Sequence, residues 1–288
     1  MNIRYKLECA IGFALLASVG SSCFAKPPQR AAPIVAVERE FAAYAAQNGW
    51  ISAFRTYSAP DGVVIAKGQI RNARALFGAR PESGSKTLKW WPAVALISRS
   101  GDLGFTTGPY TVDDTGRIQG QYFTVWKLQP DKRWRWIFDG GTGTEEPTSV
   151  AREGAVAEFM TSANRRTTAK AAIAKVTAIE EKYNAARVLI PFLAQNVRIL
   201  RADRPPSTGA AAQTEMSFPS HTIAYERADL TFASKAGDIV FTLGPAHWEN
   251  TSGSTIKGHF ARVWQATPNG WQIVFDELLP SPPESPAS

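Results

Sequence analysis

Apolar side chains at Phe41, Tyr44, Ala45, Ile51, Phe54 and Tyr57 recur at helical spacing, which predicts a helical opening with Gly49 as its break. Ile173, Val176, Ile179, Tyr183, Ala186, Ile190 and Leu193 repeat the pattern later, and Pro191 suits the first turn of a second short helix. After each helical stretch the period changes. Turn-and-strand segments at 59–65 and 194–200 lead to Leu103, Phe105 and Thr107 alternating with small residues, and to Ile239, Phe241 and Leu243 doing the same. Segments 121–128 and 133–139 are joined by Pro130-Asp131, and their later counterparts by Pro268-Asn269-Gly270, compositions that predict hairpins. Helices followed by an antiparallel meander, twice over, predict an α+β chain whose helices cover one face of a curved sheet in each half.

The repetition extends to the letters. GDLGFTTGP at 101–109 returns as GDIVFTLGP at 237–245, and Gly120, Trp126, Trp134 and Asp139 have counterparts in Gly258, Trp264, Trp271 and Asp276. Self-similarity at so long a period indicates duplicated domains and not a solenoid. The expected division is a signal segment at 1–25, a first domain at 26–145, a part-helical linker at 146–165, a second domain at 166–279 and a disordered Pro-rich tail at 280–288.

Composition changes the picture mainly at the N-terminus. Arg4 and Lys6, an apolar run from Ala10 to Val19 and small residues ending at Ala25 form an export signal, implying a periplasmic or secreted product. A lipoprotein anchored through Cys23 is the less favoured alternative, because Gly20 stands where a larger aliphatic is usual. Both cysteines, Cys9 and Cys23, fall in this segment, so a chain cut after Ala25 has no thiol nucleophile, disulfide or thiolate metal site. No run is long enough to span a membrane. The net charge of +7 is scattered, which argues against nucleic acid as a partner. Phosphate-loop, zinc-protease and nucleophile-elbow motifs are absent, so no cofactor is expected.

Residues 100–110, SGDLGFTTGPY, with residues 120–141, GQYFTVWKLQPDKRWRWIFDGG, resemble the SnoaL-like and ketosteroid-isomerase-like domains of the nuclear transport factor two superfamily, in a bacterial branch of unknown function. The second half resembles them more weakly. The resemblance implies a bent sheet wrapped round helices with a pocket at its open end. It also implies a range of roles, from isomerase, cyclase and dehydratase to binding alone, so the fold does not select among them. Dimerisation through the sheet is common in the family, which makes an intramolecular pseudo-dimer, or a homo-oligomer, an expectation for two copies in one chain.

Candidate chemistry is sparse. Asp139 and Tyr110 are the catalytic candidates, a carboxylate in an apolar cone being suited to proton transfer beside a carbonyl. Strand alternation puts Trp134, Trp136 and Phe138 on one face and Asp139 with Arg135 and Ile137 on the other, which favours a turn or capping role for Asp139. Trp90, Trp91, Tyr110, Tyr122 and Trp136 are candidates to line a pocket for an apolar or aromatic ligand, with core filling as the competing reading. In the second half His259 and Arg262 are candidate ligand contacts, while His221 and His247 lack close metal-ligand spacing. The favoured function is binding of a small apolar or aromatic molecule without catalysis. The alternatives are a cofactor-independent isomerase or dehydratase, and a scaffold.

Overall fold

The computed structural model describes residues 30–80, 84–144, 153–159, 167–185, 189–217, 223–250 and 252–282. The expected export segment, both cysteines, His221 and most of the tail lie outside them. The first half contains α1 (Ala32–Asn48), α2 (Trp50–Tyr57), β1 (Ser58–Ala66), β2 (Gln69–Asn72), α3 (Ala73–Gly78), β3 (Lys89–Trp90), β4 (Val94–Ile97), β5 (Leu103–Thr111), β6 (Gly120–Leu128), β7 (Trp134–Gly143) and β8 (Ala157–Glu158). The second contains α4 (Ala169–Ala185), a 3-10 turn (Ile190–Phe192), β9 (Leu193–Leu200), β10 (Ser207–Thr208), α5 (Gly209–Ser217), β11 (Ala224–Tyr225), β12 (Leu230–Ala233), β13 (Ile239–Glu249), β14 (Thr255–Thr267) and β15 (Gly270–Pro280). Gly49, at φ 85°, makes the break between α1 and α2, a left-handed backbone that glycine adopts without strain.

The two sheets share one topology. Strand order is β2-β1-β7-β6-β5 in the first and β10-β9-β15-β14-β13 in the second. β3 and β4 both pair with β5, as β11 and β12 both pair with β13. The segment expected as a part-helical linker instead supplies β8, which pairs in parallel with β4, and Phe159 beyond it is buried. The last strand runs one residue into the expected tail, Pro280 pairing with Gly258.

A bulge sits at the same place in both sheets. Val125 pairs with Phe138 and Trp126 with Trp136, so Ile137 is the extra residue; Val263 and Trp264 skip Val274 in the same way. One inserted residue reverses the faces beyond it. Trp136 therefore packs among the helices with Phe41 and Trp126, Phe138 packs on the opposite face, and Asp139 turns inward. This corrects the expectation that Trp136 and Phe138 share a face with Asp139 behind them.

The outward faces of the two sheets meet. Phe123 stacks on Phe275 with ring centroids 3.9 Å apart, while the equivalent pairs Phe105–Phe275 and Phe138–Phe241 both lie at 5.4 Å. At the edge of this contact the repeated Gly-Asp turns clasp each other: Asp102 accepts from the Lys235 backbone N–H at 3.1 Å and Asp238 from that of Arg99 at 2.9 Å. Residue i touches j′ and i′ touches j, the reciprocity of a two-fold interface, here within one chain.

Candidate functional site

The inward face of the first sheet and helices α1 and α2 enclose an aromatic interior. α1 presents Ile34, Glu38, Phe41 and Ala45 on its buried face, so a carboxylate lies in the core. Glu38 accepts from Trp90 Nε1 at 2.6 Å, from Trp126 Nε1 at 2.9 Å and from the Thr106 hydroxyl. Burial pushes its pKa up, and these donors oppose that shift. Asp139, turned inward by the bulge, accepts from Thr124 Oγ1 at 2.7 Å. Burial holds its carboxyl well above the ordinary range, against the pull of the Thr124 bond, and the neighbouring Glu38 adds to the rise. Among the described residues no cationic side chain bonds either carboxyl.

A cavity of about 240 Å³ opens beside Asp139, lined chiefly by Phe41, Phe54, Trp90, Tyr110 and Tyr122, with Gly140 and Gly141 forming a bare section of wall. The Tyr122 hydroxyl is buried without a hydrogen-bond partner, and burial drives its pKa well above the usual phenol value. Both residues expected from sequence as catalytic, Asp139 and Tyr110, line this cavity, as do Trp90 and Tyr122. Trp91 and Trp136 are not among its lining. Trp136 is wholly buried, its ring edge-on to Phe54 at 5.9 Å, and Trp91 is only half-buried.

His259 and Arg262 are in the other half. Register equates Arg262 with Thr124, Asp276 with Asp139, Phe260 with Tyr122, Trp264 with Trp126 and Tyr225 with Trp90. Arg262, fully buried, donates from Nε to Asp276 at 2.8 Å and from Nη1 to Glu180 at 3.2 Å. Glu180 also accepts from Trp264 Nε1 and Thr242 Oγ1, as Glu38 does from Trp126 and Thr106. Asp276 receives a second guanidinium from Arg201 at 2.7 Å. Burial works against charge on Arg262, but Asp276, Tyr225 and Glu180 outweigh it and its pKa rises. Burial pulls the His259 imidazole down, and His247 makes an exposed ion pair with Glu226 at 3.7 Å. Among the described residues no group of three or more metal-ligating side chains occurs. No helix among them is long and apolar enough to cross a membrane.

Sequence reasoning passed over Glu38 and Glu180. The signal was present in phase, since Glu38 falls four residues after Ile34 and three before Phe41, on the apolar stripe of its helix.

No family model matches the sequence, and no curated protein is similar to it. Solved structures resemble parts of the chain. A Mycobacterium tuberculosis protein in complex with estradiol-17beta-hemisuccinate is 13% identical over 37% of this chain and 92% of its own, with a TM-score of 0.29. An NTF2-like protein of unknown function from Pseudomonas putida is 13% identical over 39% and 88%, at 0.31. A Shewanella frigidimarina protein provisionally described as a ketosteroid isomerase is 15% identical over 38% and 94%, at 0.28. Similarity at this level carries nothing about activity. Helices packed on a mixed sheet, with a cavity beside them in the first half, are the α+β architecture the sequence resemblance implied, and the chain carries that fold twice in tandem.

Proposed function

We propose that this is an exported protein whose first cone binds a small ring-containing molecule, while the second cone serves as its built-in partner in an intramolecular pseudo-dimer. One observation carries the reading: the first interior has an aromatic cavity with Asp139 in its wall and, among the described residues, no cationic side chain on that carboxyl, whereas in the second interior the equivalent Asp276 is met by the buried guanidinium groups of Arg262 and Arg201 and the cavities there are lined by charged groups, Arg201 with Glu215 and Glu180 with Arg227. A pocket with a few convergent polar groups on an apolar lining is the usual form of a small-molecule site. Native mass spectrometry of the mature protein, followed by analysis of what denaturation releases, tests it. A compound held near one per chain and lost in a Tyr122→Arg variant supports the first cone. A compound retained in that variant refutes it. An N-terminus at Lys26 in the purified protein supports export.

A second reading has its own support. A buried Asp139 with a raised pKa, 7–8% exposed like its neighbour Tyr122 with an unpartnered hydroxyl, suits proton transfer on a carbonyl compound. It requires turnover that Asp139→Asn abolishes and Tyr122→Phe lowers, with ligand binding retained.

A further inference from the structure

The second cone carries a buried guanidinium on the carboxylate whose counterpart, Asp139, lines the cavity of the first. Arg262 Cζ lies 4.3 Å from the ring centroid of Tyr225, 4.9 Å from that of Phe260 and 5.9 Å from that of Trp264, with Asp276 and Glu180 at its polar edge. This is an aromatic box for a cation closed by two carboxylates. The first cone has Trp90, Tyr122 and Trp126 at the ring positions and Asp139 and Glu38 at the acid positions; of these Trp90, Tyr122 and Asp139 line its cavity. What it lacks is the cation. Thr124 stands at the position of Arg262, and Ala66 at that of Arg201, by the pairing of β1 with β7 and of β9 with β15. Two small residues replace two guanidinium groups, and the cavity opens onto the carboxylate they would have neutralised.

We propose that the first cone takes an organic cation, a small ring-containing molecule bearing a guanidinium, amidinium or protonated amine, whose charged end meets Asp139 in the cavity wall as Arg262 meets Asp276 in the second cone. The inference rests on the first cone being a binding site and names the class of its ligand. Asp139 is the principal partner. One of its oxygens takes the Thr124 bond and the other has no donor among the described residues, whereas both Glu38 oxygens already accept from Trp90, Trp126 and Thr106. A bound cation compensates a buried carboxylate that is otherwise costly to ionise. Trp90 and Tyr122, which line the cavity, supply aromatic surface beside it. A neutral ring compound would fill the same volume and leave the Asp139 carboxyl without a cationic partner.

Isothermal titration of the full chain against benzamidine, its neutral isostere benzamide and its anionic analogue benzoate separates these cases. The expected result is benzamidine bound at least about tenfold more tightly than benzamide, with no binding of benzoate, and that preference reduced to within about twofold by Asp139→Asn. Thr124→Arg, which installs the second cone's own cation, should abolish benzamidine binding; should that chain fail to fold, Asp139→Asn decides alone. Equal affinity for benzamide and benzamidine overturns the cation inference and leaves the pocket standing. Binding of none of the three overturns both.

Discussion

Arg262 donates to Asp276 at 2.8 Å at the position where, in the other half, Thr124 donates to Asp139 at 2.7 Å. Two replacements, Thr124 for Arg262 and Ala66 for Arg201, separate a carboxyl with a neutral donor from a carboxylate held by two guanidinium groups. In the second cone the charge on each carboxylate is matched by a buried arginine. In the first cone the carboxyls rely on neutral donors, which is why burial raises their pKa values.

Removing the arginine should be costly. Arg262→Thr leaves Glu180 without a cation and Asp276 with Arg201 alone, and breaking a buried pair of this kind costs about 3–5 kcal/mol. Thr124→Ala removes one neutral donor and should cost about 1 kcal/mol. Urea denaturation of both variants checks the contrast, and equal losses would mean that Arg262 is not the keystone of its cone.

Glu277 gives a pH-dependent prediction. It is fully buried in β15 with neither carboxylate oxygen hydrogen-bonded, and burial holds its pKa well above the usual value. The charged groups acting on it are Arg201, which opposes the rise, and Asp139 and Asp276, which add to it. An acid whose pKa is higher folded than unfolded stabilises the fold fully below its unfolded pKa and loses that contribution as pH climbs through the folded value. Glu277→Gln should therefore stabilise the protein by about 1–3 kcal/mol at mildly alkaline pH and by progressively less towards acid. Thermal melts across the range read this directly; a variant less stable at every pH would contradict it.

The clasp between the halves should respond symmetrically. Asp102 and Asp238 each accept a backbone N–H from the opposite turn, and loss of a hydrogen bond to a charged group costs about 1.5–3 kcal/mol. Asp102→Ala and Asp238→Ala should destabilise by similar amounts in denaturant titrations. A neutral effect at either position would show that the clasp is not reciprocal in solution.

Binding of a cation in the first cone should strengthen with pH. The groups facing Asp139 are Thr124 and Tyr122 from β6, Glu38 from α1 and Glu277 from β15. Because Asp139 is raised, affinity for benzamidine should climb from acid pH to a plateau above its folded pKa. Calorimetry in buffers of different ionisation enthalpy should register proton release on the rising limb. A pH-independent affinity would mean that the bound charge does not meet Asp139.

The duplication, the order of helices before strands and the aromatic content were legible because they depend on local letters: repeated Gly-Asp turns, alternation in 103–107 and 239–243, and helical phase in 41–57. Asp139 and Tyr110 could be named as candidates, but the direction in which Asp139 points could not. It is reversed by one bulged residue, Ile137, inside a run of apolar side chains that reads the same with or without the bulge. Glu38 and Glu180 escaped because the helices align at a different offset from the strands, 142 residues against 136–138, so the repeat that began at Gly101 did not carry back to them.

The sequence by itself determined that one fold is written twice and where its main helices and the strands of its meander lie, since propensity and periodicity act over a few neighbours. Only the tertiary structure decided that the two sheets face each other through Phe123 and Phe275, and that one inward carboxyl meets two guanidinium groups while its counterpart meets none among the described residues. Those outcomes turn on side chains far apart in the chain, Ala66 against Arg201 and Thr124 against Arg262, meeting a carboxylate brought to them by a strand from elsewhere. Charge compensation in a buried site is a property of that meeting, and no stretch of the chain contains it alone.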